Sequence, residues 1–250
     1  MDAEGPLFVR FSPKRVMTSG WVGDLDDTFE GLEGALKRYL VSAWRGYANY
    51  GSDIGGYRLP QKPRQVDLFI RWAQLGAFSP LMENGGGGEH RPWLVDPSRA
   101  EEVTDIYRHF VDTHYTLNPY LLTVGSNALE NGTSSLTPLA PHDSVIDDLI
   151  DDLNPPTYCY LIGDRVLVAP VLANNSASGT AVSEVTFPEN GTWSYFFDTS
   201  RNYTGAYFEV HLSARQRLLV RQAERGDGAK TCLDSHITFH SVQAKARRLQ

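Results

Sequence analysis

In the stretch SGWVGDLDDTFEGLEG, Trp21 stands between Gly20 and Gly23 and is followed by three aspartates, Asp24, Asp26 and Asp27. A carboxylic acid protonates a leaving group when its surroundings raise its pKa. An indole beside it desolvates the acid and offers a flat face for a sugar ring. Asp27, with Glu30 three residues on, has capping-box spacing, and Asp26 sits where a helix dipole favours negative charge. Asp24 is left without such a task and is the candidate for chemistry; capping by all three is the alternative. Asp53, between NYGS and IGGY, is flanked by glycines that allow either close approach to a ligand or a tight turn. It reads as a binder of two sugar hydroxyls, a second catalytic carboxylate, or a turn residue. MENGGGGEHRPW reads as a flexible loop, or as a lid whose His90 meets substrate; it has neither phosphate-loop nor dinucleotide spacing. No metal is assigned: DLDDTFEGLEG lacks the sixth-position glycine of a calcium loop, and DSVIDDLIDDLNPP reads as a solvated loop or short surface helix.

The elements that must hold these residues recur at regular spacing. PLFVRF and VMTSGWVG read as short strands, the second leading to Asp24. Phe29, Leu32, Leu36, Tyr39, Leu40 and Trp44 follow at helical spacing, and Gly46 is placed to end that helix. GYANYGSDIGG is a strand finishing at Asp53, QVDLFIRWAQLGAF a helix, and SPLM a strand before the glycine-rich loop. EEVTDIYRHFVDTHYTLNPYL is a third helix, with Val103, Ile106, Tyr107, Phe110 and Tyr115 on one face. Strand, polar loop and helix repeat about every 30 residues, the length of a βα unit, with polar residues after each strand as in α/β barrels. From about Asn131 the pattern changes to RVLVAPVL, AVSEVTF, GTWSYFFD and AYFEVHL, separated by turn residues. The fold class is α/β plus all-β: the late part of a TIM (β/α)8 barrel over residues 1–130, then an antiparallel β-sandwich over 131–250. A whole barrel takes about 250 residues, so the part before 131 holds roughly three units and implies a preceding barrel portion.

The chain has 250 residues, 41% of them hydrophobic and 21% charged, as expected of a globular protein with a real core. A net charge of −7 argues against nucleic acid as partner, and the basic run KARRLQ reads as a tail. No apolar run reaches the roughly 20 residues of a membrane span, and MDAEGPLFVRF lacks a signal-peptide core. Sequons at Asn131, Asn174, Asn190 and Asn202 make the secretory pathway or an extracellular location possible, and the compartment stays open. Cys159 and Cys232 match no metal or redox spacing and form one disulfide or none.

Six segments in order, GWVGDLDDTFEGL, GSDIGGYR, FIRWAQLGAFSPLM, NPYLL, YLIGDRVLVAPVL and FPENGTWSYFFD, resemble glycoside hydrolase family 31, the retaining α-glucosidase and α-xylosidase family. The resemblance covers nearly the whole chain, weakening after about Tyr207. It implies exo-acting double displacement on α-linked glycosides, on an α/β barrel, without a cofactor. It assigns Asp24 as general acid/base. Trp21 would wall the site, Asp53 would hold hydroxyls of the sugar being cleaved, and Arg10 is the best match to an arginine that binds that sugar.

Two departures stand out. The family nucleophile belongs to an earlier D-x-N-E segment, and none precedes Arg10. Many members also carry Arg-Asn-His after the strand that is SPLM here, where this chain reads Glu83, Asn84, Gly85; His90 is the candidate replacement. The expected partners are an oligosaccharide or α-glycoside substrate and the missing N-terminal portion of the barrel. A non-catalytic sugar-binding remnant is the alternative function.

Overall fold

The first half of the chain is built on three short parallel strands, β1 (Gly20–Trp21), β2 (Tyr50–Asp53) and β3 (Leu81–Glu83), side by side in that order. The computed structural model describes residues 13–59, 63–140, 157–173, 180–188, 192–204, 207–213 and 218–222. Arg10, the PLFVRF strand, the acidic run, Asn174, Asn190, Cys232 and the basic tail lie outside the described residues. The strands are joined through α1 (Phe29–Trp44) and α2 (Val66–Ala77), and α3 (Pro92–Val95) and α4 (Ala100–Asn131) follow β3. The expected second strand is thus only two residues long, and Lys14–Val16 ahead of it form a 3-10 turn. Among the described residues no helix is long and apolar enough to cross a membrane.

Local chemistry explains where the helices start and which face they bury. Leu32, Ala35, Leu36, Tyr39, Leu40 and Ala43 form the buried stripe of α1, and Gly46 follows its end at φ 73°, where a side chain would be strained. Thr28, not Asp27, is its N-cap: Thr28 is extended and its hydroxyl accepts from the Gly31 N–H at 3.0 Å. The Asp27 backbone is committed elsewhere, since its N–H donates to the Arg58 carbonyl at 3.0 Å and Asp26 bridges Arg58 in parallel. This tie joins the loop after β1 to the loop after β2.

One serine pins both helices onto the outer face of β2. Ser52 Oγ receives the Tyr39 hydroxyl at 3.0 Å and the Trp72 indole N–H at 2.9 Å, all three residues being buried. Because strand side chains alternate, Asp53 points to the opposite face, toward the barrel interior.

Helix α4 is longer than its sequence pattern suggests, running through Pro119 to Asn131. Its buried face is Val103, Ile106, Phe110, Thr113, Leu117 and Leu121, while Tyr115 is 78% exposed. Five residues beyond Phe110 is a rotation of about 140° off the stripe, so the sequence assignment of Tyr115 to that face is corrected.

The β-rich part packs directly on these units. β4 (Leu136–Pro138), β5 (Tyr160–Ile162), β6 (Val166–Ala169), β11 (Leu218–Gln222), β8 (Thr192–Tyr195) and β9 (Asp198–Thr204) make an antiparallel sheet in that order. β7 (Thr180–Thr186) and β10 (Tyr207–Ser213) form a separate antiparallel pair. Val166 and Val168 of β6 join the core shared with α1, α2 and α4, whereas Leu167 and Ala169 face a second cluster with Val185, Phe187 and Trp193. The strand's period of two thus places one face on the barrel units and the other on a second core. Tyr160 donates to the Phe78 carbonyl at 2.9 Å and Tyr120 to the Ile162 carbonyl at 2.7 Å, holding the two parts in register.

Candidate active site

The three parallel strands end together, and each releases a loop carrying residues singled out in the sequence. β1 delivers Trp21 and, three residues on, the exposed Asp24; β2 ends on Asp53; β3 ends on Glu83, ahead of the glycine-rich loop. Carboxyl ends of parallel strands are where α/β barrels place their chemistry.

Trp21 and Asp53 are joined directly. The indole N–H donates to Asp53 Oδ2 at 2.7 Å, and the Trp21 ring meets Tyr57 edge-on with centroids 5.8 Å apart. The bond fixes the indole beside a carboxylate while leaving the ring 46% exposed at the rim. Tyr57 was not singled out as a site residue. Its place four residues after Asp53, in an aromatic-poor GGYR turn, is the signal that could have found it.

Asp53 stands in register with Glu83 across the parallel pair, so the two carboxylates project from the same face. Burial pushes the Asp53 carboxyl above its ordinary range; the Trp21 bond and His90 oppose this, and the charge of Asp24 adds to it. Burial likewise raises Glu83, and Asp53 beside it adds to the effect. A raised carboxyl binds its proton more tightly in the folded chain than in the unfolded one. Its stabilising share is therefore intact below the ordinary value, 3.8 for Asp53, and is lost as pH rises through the folded value. Asp53→Asn should then melt at a higher temperature than the parent at pH 7, with the gain shrinking toward pH 4. Thermal melts across that range test this, and a variant less stable at pH 7 would contradict it.

The glycine-rich loop is a structured turn rather than the open loop its composition suggests. Asn84 Nδ2 donates to the His90 carbonyl at 3.0 Å, and its Oδ1 lies 3.0 Å from His90 Nδ1. His90 Nε2 lies 2.9 Å from the Gly87 carbonyl. Both ring nitrogens are therefore turned onto the loop itself. Burial and the neighbouring Arg64 hold the imidazole below its usual pKa, against the pull of the Gly87 carbonyl and Asp53. Gly86 and Gly88 adopt φ of 103° and 80°, and a Cβ on Gly86 would meet the Tyr57 backbone at 2.7 Å. Only glycine fits so close a crossing.

Arg64 is the residue that sequence reasoning passed over. Its buried guanidinium donates to the Gly55 carbonyl and, at 2.9 Å, to the Gly87 carbonyl, clamping the loop after β2 to the loop after β3. Burial lowers its pKa, and Asp27 and Glu89 offset that through their charge. An arginine just after a proline at the entry to a helix carried no recognisable signal. Its role is visible only once the two loops are seen to cross.

Residues 12–124 match the glycosyl hydrolases family 31 TIM-barrel domain. The chain is 30% identical over 207 residues to an alpha-xylosidase of Emericella nidulans, covering 80% of this chain and 25% of that protein. It is 30% identical over 194 residues to a sulfoquinovosidase of Agrobacterium fabrum, covering 74% and 27%. It spans about a quarter of the length of these curated relatives. Among solved structures, a cycloalternan-degrading enzyme from Trueperella pyogenes in complex with a covalent intermediate superposes with a TM-score of 0.65 at 22% identity, over 82% of this chain and 28% of that one. That likeness establishes the shared fold.

Proposed function

The chain belongs to glycosyl hydrolase family 31, and on that premise we propose that it is the acid-bearing portion of an exo-acting retaining α-glycosidase. Asp24 is the general acid/base. It protonates the departing glycosidic oxygen, and as a carboxylate it then takes the proton from the water that releases the sugar. Asp53 holds hydroxyls of the cleaved sugar, Trp21 walls the pocket and Arg10 adds a donor to the same sugar. His90 orders the loop after β3 and stands in for the substrate-contacting histidine other members carry. The nucleophile comes from the barrel portion preceding this segment, and retention requires it about 5–5.5 Å from the acid. The covalent intermediate captured in the Trueperella enzyme supports double displacement on this fold.

The observation that carries this reading is the convergence of Trp21, Asp24 and Asp53 on neighbouring strand ends, with Trp21 hydrogen-bonded to Asp53. We also assign residues 1–130 to the barrel and 131–250 to a β-sandwich. The second core between β6 and the Val185–Phe187 segment supports a two-layer β domain. The test is hydrolysis of a panel of aryl α-glycosides by the complete enzyme, this chain joined to its preceding barrel portion. Turnover with net retention is expected. Binding without turnover would instead make the protein a sugar-binding relative.

A further inference from the structure

We propose that Glu83 contacts the sugar and sets its specificity, forming with Asp53 a paired carboxylate acceptor for hydroxyl groups of the residue being cleaved. The inference rests on the glycosidase reading above and names a residue that reading does not use.

The placement comes from strand register. Asp53 and Glu83 are Cα partners on adjacent parallel strands, while Ser52, one residue earlier, is turned outward to Tyr39 and Trp72. The two carboxylates therefore share the inner face, at the strand ends that also carry Trp21 and Asp24.

Folding alone gives no reason for a glutamate here. Glu83 Oε1 is buried with no hydrogen-bond partner among the described residues, and like charges directly across a strand pair destabilise a sheet. The cations of the adjoining loops are engaged elsewhere: Arg64 binds the Gly55 and Gly87 carbonyls, and Arg91 pairs with Glu89 at 2.7 Å. Burial raises the proton affinity of both carboxyls, and at Glu83 the charge of Asp53 adds to it. A buried acceptor without a donor is completed by a ligand that supplies one.

The loop after β3 runs close beside Asp53, with a glycine at the nearest point. Gly85 lies so close to Asp53 that a Cβ there would stand 3.2 Å from Oδ1, and the loop then turns away over Tyr57. Vicinal sugar hydroxyls offer two O–H donors to two neighbouring acceptors. A rim of three carboxylates, Asp24, Asp53 and Glu83, suits an uncharged sugar and repels one bearing an anionic group at the contacted position.

The experiment compares the complete enzyme with its Glu83→Gln variant on a 4-nitrophenyl α-glycoside and its monodeoxy analogues, measuring kcat/KM. The isosteric change should cost roughly 10- to 100-fold on the parent glycoside, the worth of a hydrogen bond to a charged acceptor. On the one or two analogues that lack the contacted hydroxyl, the loss should shrink to about threefold or less. A merely structural role would lower every substrate by the same factor, and that result, or no loss at all, overturns the proposal. Thermal melts of the variant should be at or above the parent at pH 7, so misfolding is told apart from lost contact. A parent enzyme without activity on any glycoside would remove the glycosidase reading itself, whereas an active parent indifferent to Glu83 would remove only this one.

Discussion

Replacing Asp24 with alanine in the complete enzyme is expected to lower kcat/KM on glycosides with poor leaving groups by about 10²–10⁴-fold, the usual share of general acid catalysis. Substrates whose aglycone departs as a stable phenolate should lose far less in the bond-breaking step, because they leave without a proton. The expectation follows from position. Asp24 is exposed at the rim, three residues beyond β1, and the structure shows Thr28 capping the helix that follows. Removing the carboxylate therefore takes away a proton donor without taking away a helix cap, and the variant should melt close to the parent. Equal losses on good and poor leaving groups would count against the acid/base role.

The second large effect concerns the rest of the barrel. Among the described residues the parallel sheet has three strands, with β1 and β3 each paired on one side only. Unpaired parallel strands expose both apolar surface and ladder hydrogen-bonding groups. These 250 residues expressed alone are expected to show no measurable hydrolysis of aryl α-glucosides and to self-associate through that edge. The same residues joined to the preceding barrel portion are expected to be active and dispersed. Size-exclusion chromatography with activity measured across the eluted fractions decides it. Turnover that follows a 250-residue monomer would overturn the requirement for a nucleophile from elsewhere.

Much of this arrangement is legible in the sequence because it is local. The recurrence of strand, polar loop and helix every 30 or so residues places β1, β2 and β3 with Asp24 and Asp53 at or just after their ends, and the family motifs supply the expected roles. What escapes the sequence depends on contacts between elements. Asp27 looks like a cap because Glu30 follows at the right distance, yet the bond from its N–H to Arg58 commits it to another loop and leaves capping to Thr28. Tyr115 looks like a core residue until the rotation from Phe110 is followed through Thr113 and Leu117. The pairing of Asp53 with Glu83, and the clamp that Arg64 places across two glycine turns, need strand register and loop crossing, neither of which a linear pattern encodes.

The central claim is that Asp24 works first as acid and then as base on a covalently held sugar. It is tested most directly by adding azide to the Asp24→Ala enzyme with an activated aryl α-glycoside. Azide needs no deprotonation, so it should replace the water that the missing carboxylate can no longer activate, raising turnover and giving the α-glycosyl azide with retained configuration. No rescue and no azide adduct, from a variant that still folds and still cleaves the activated substrate, would contradict the role assigned to Asp24.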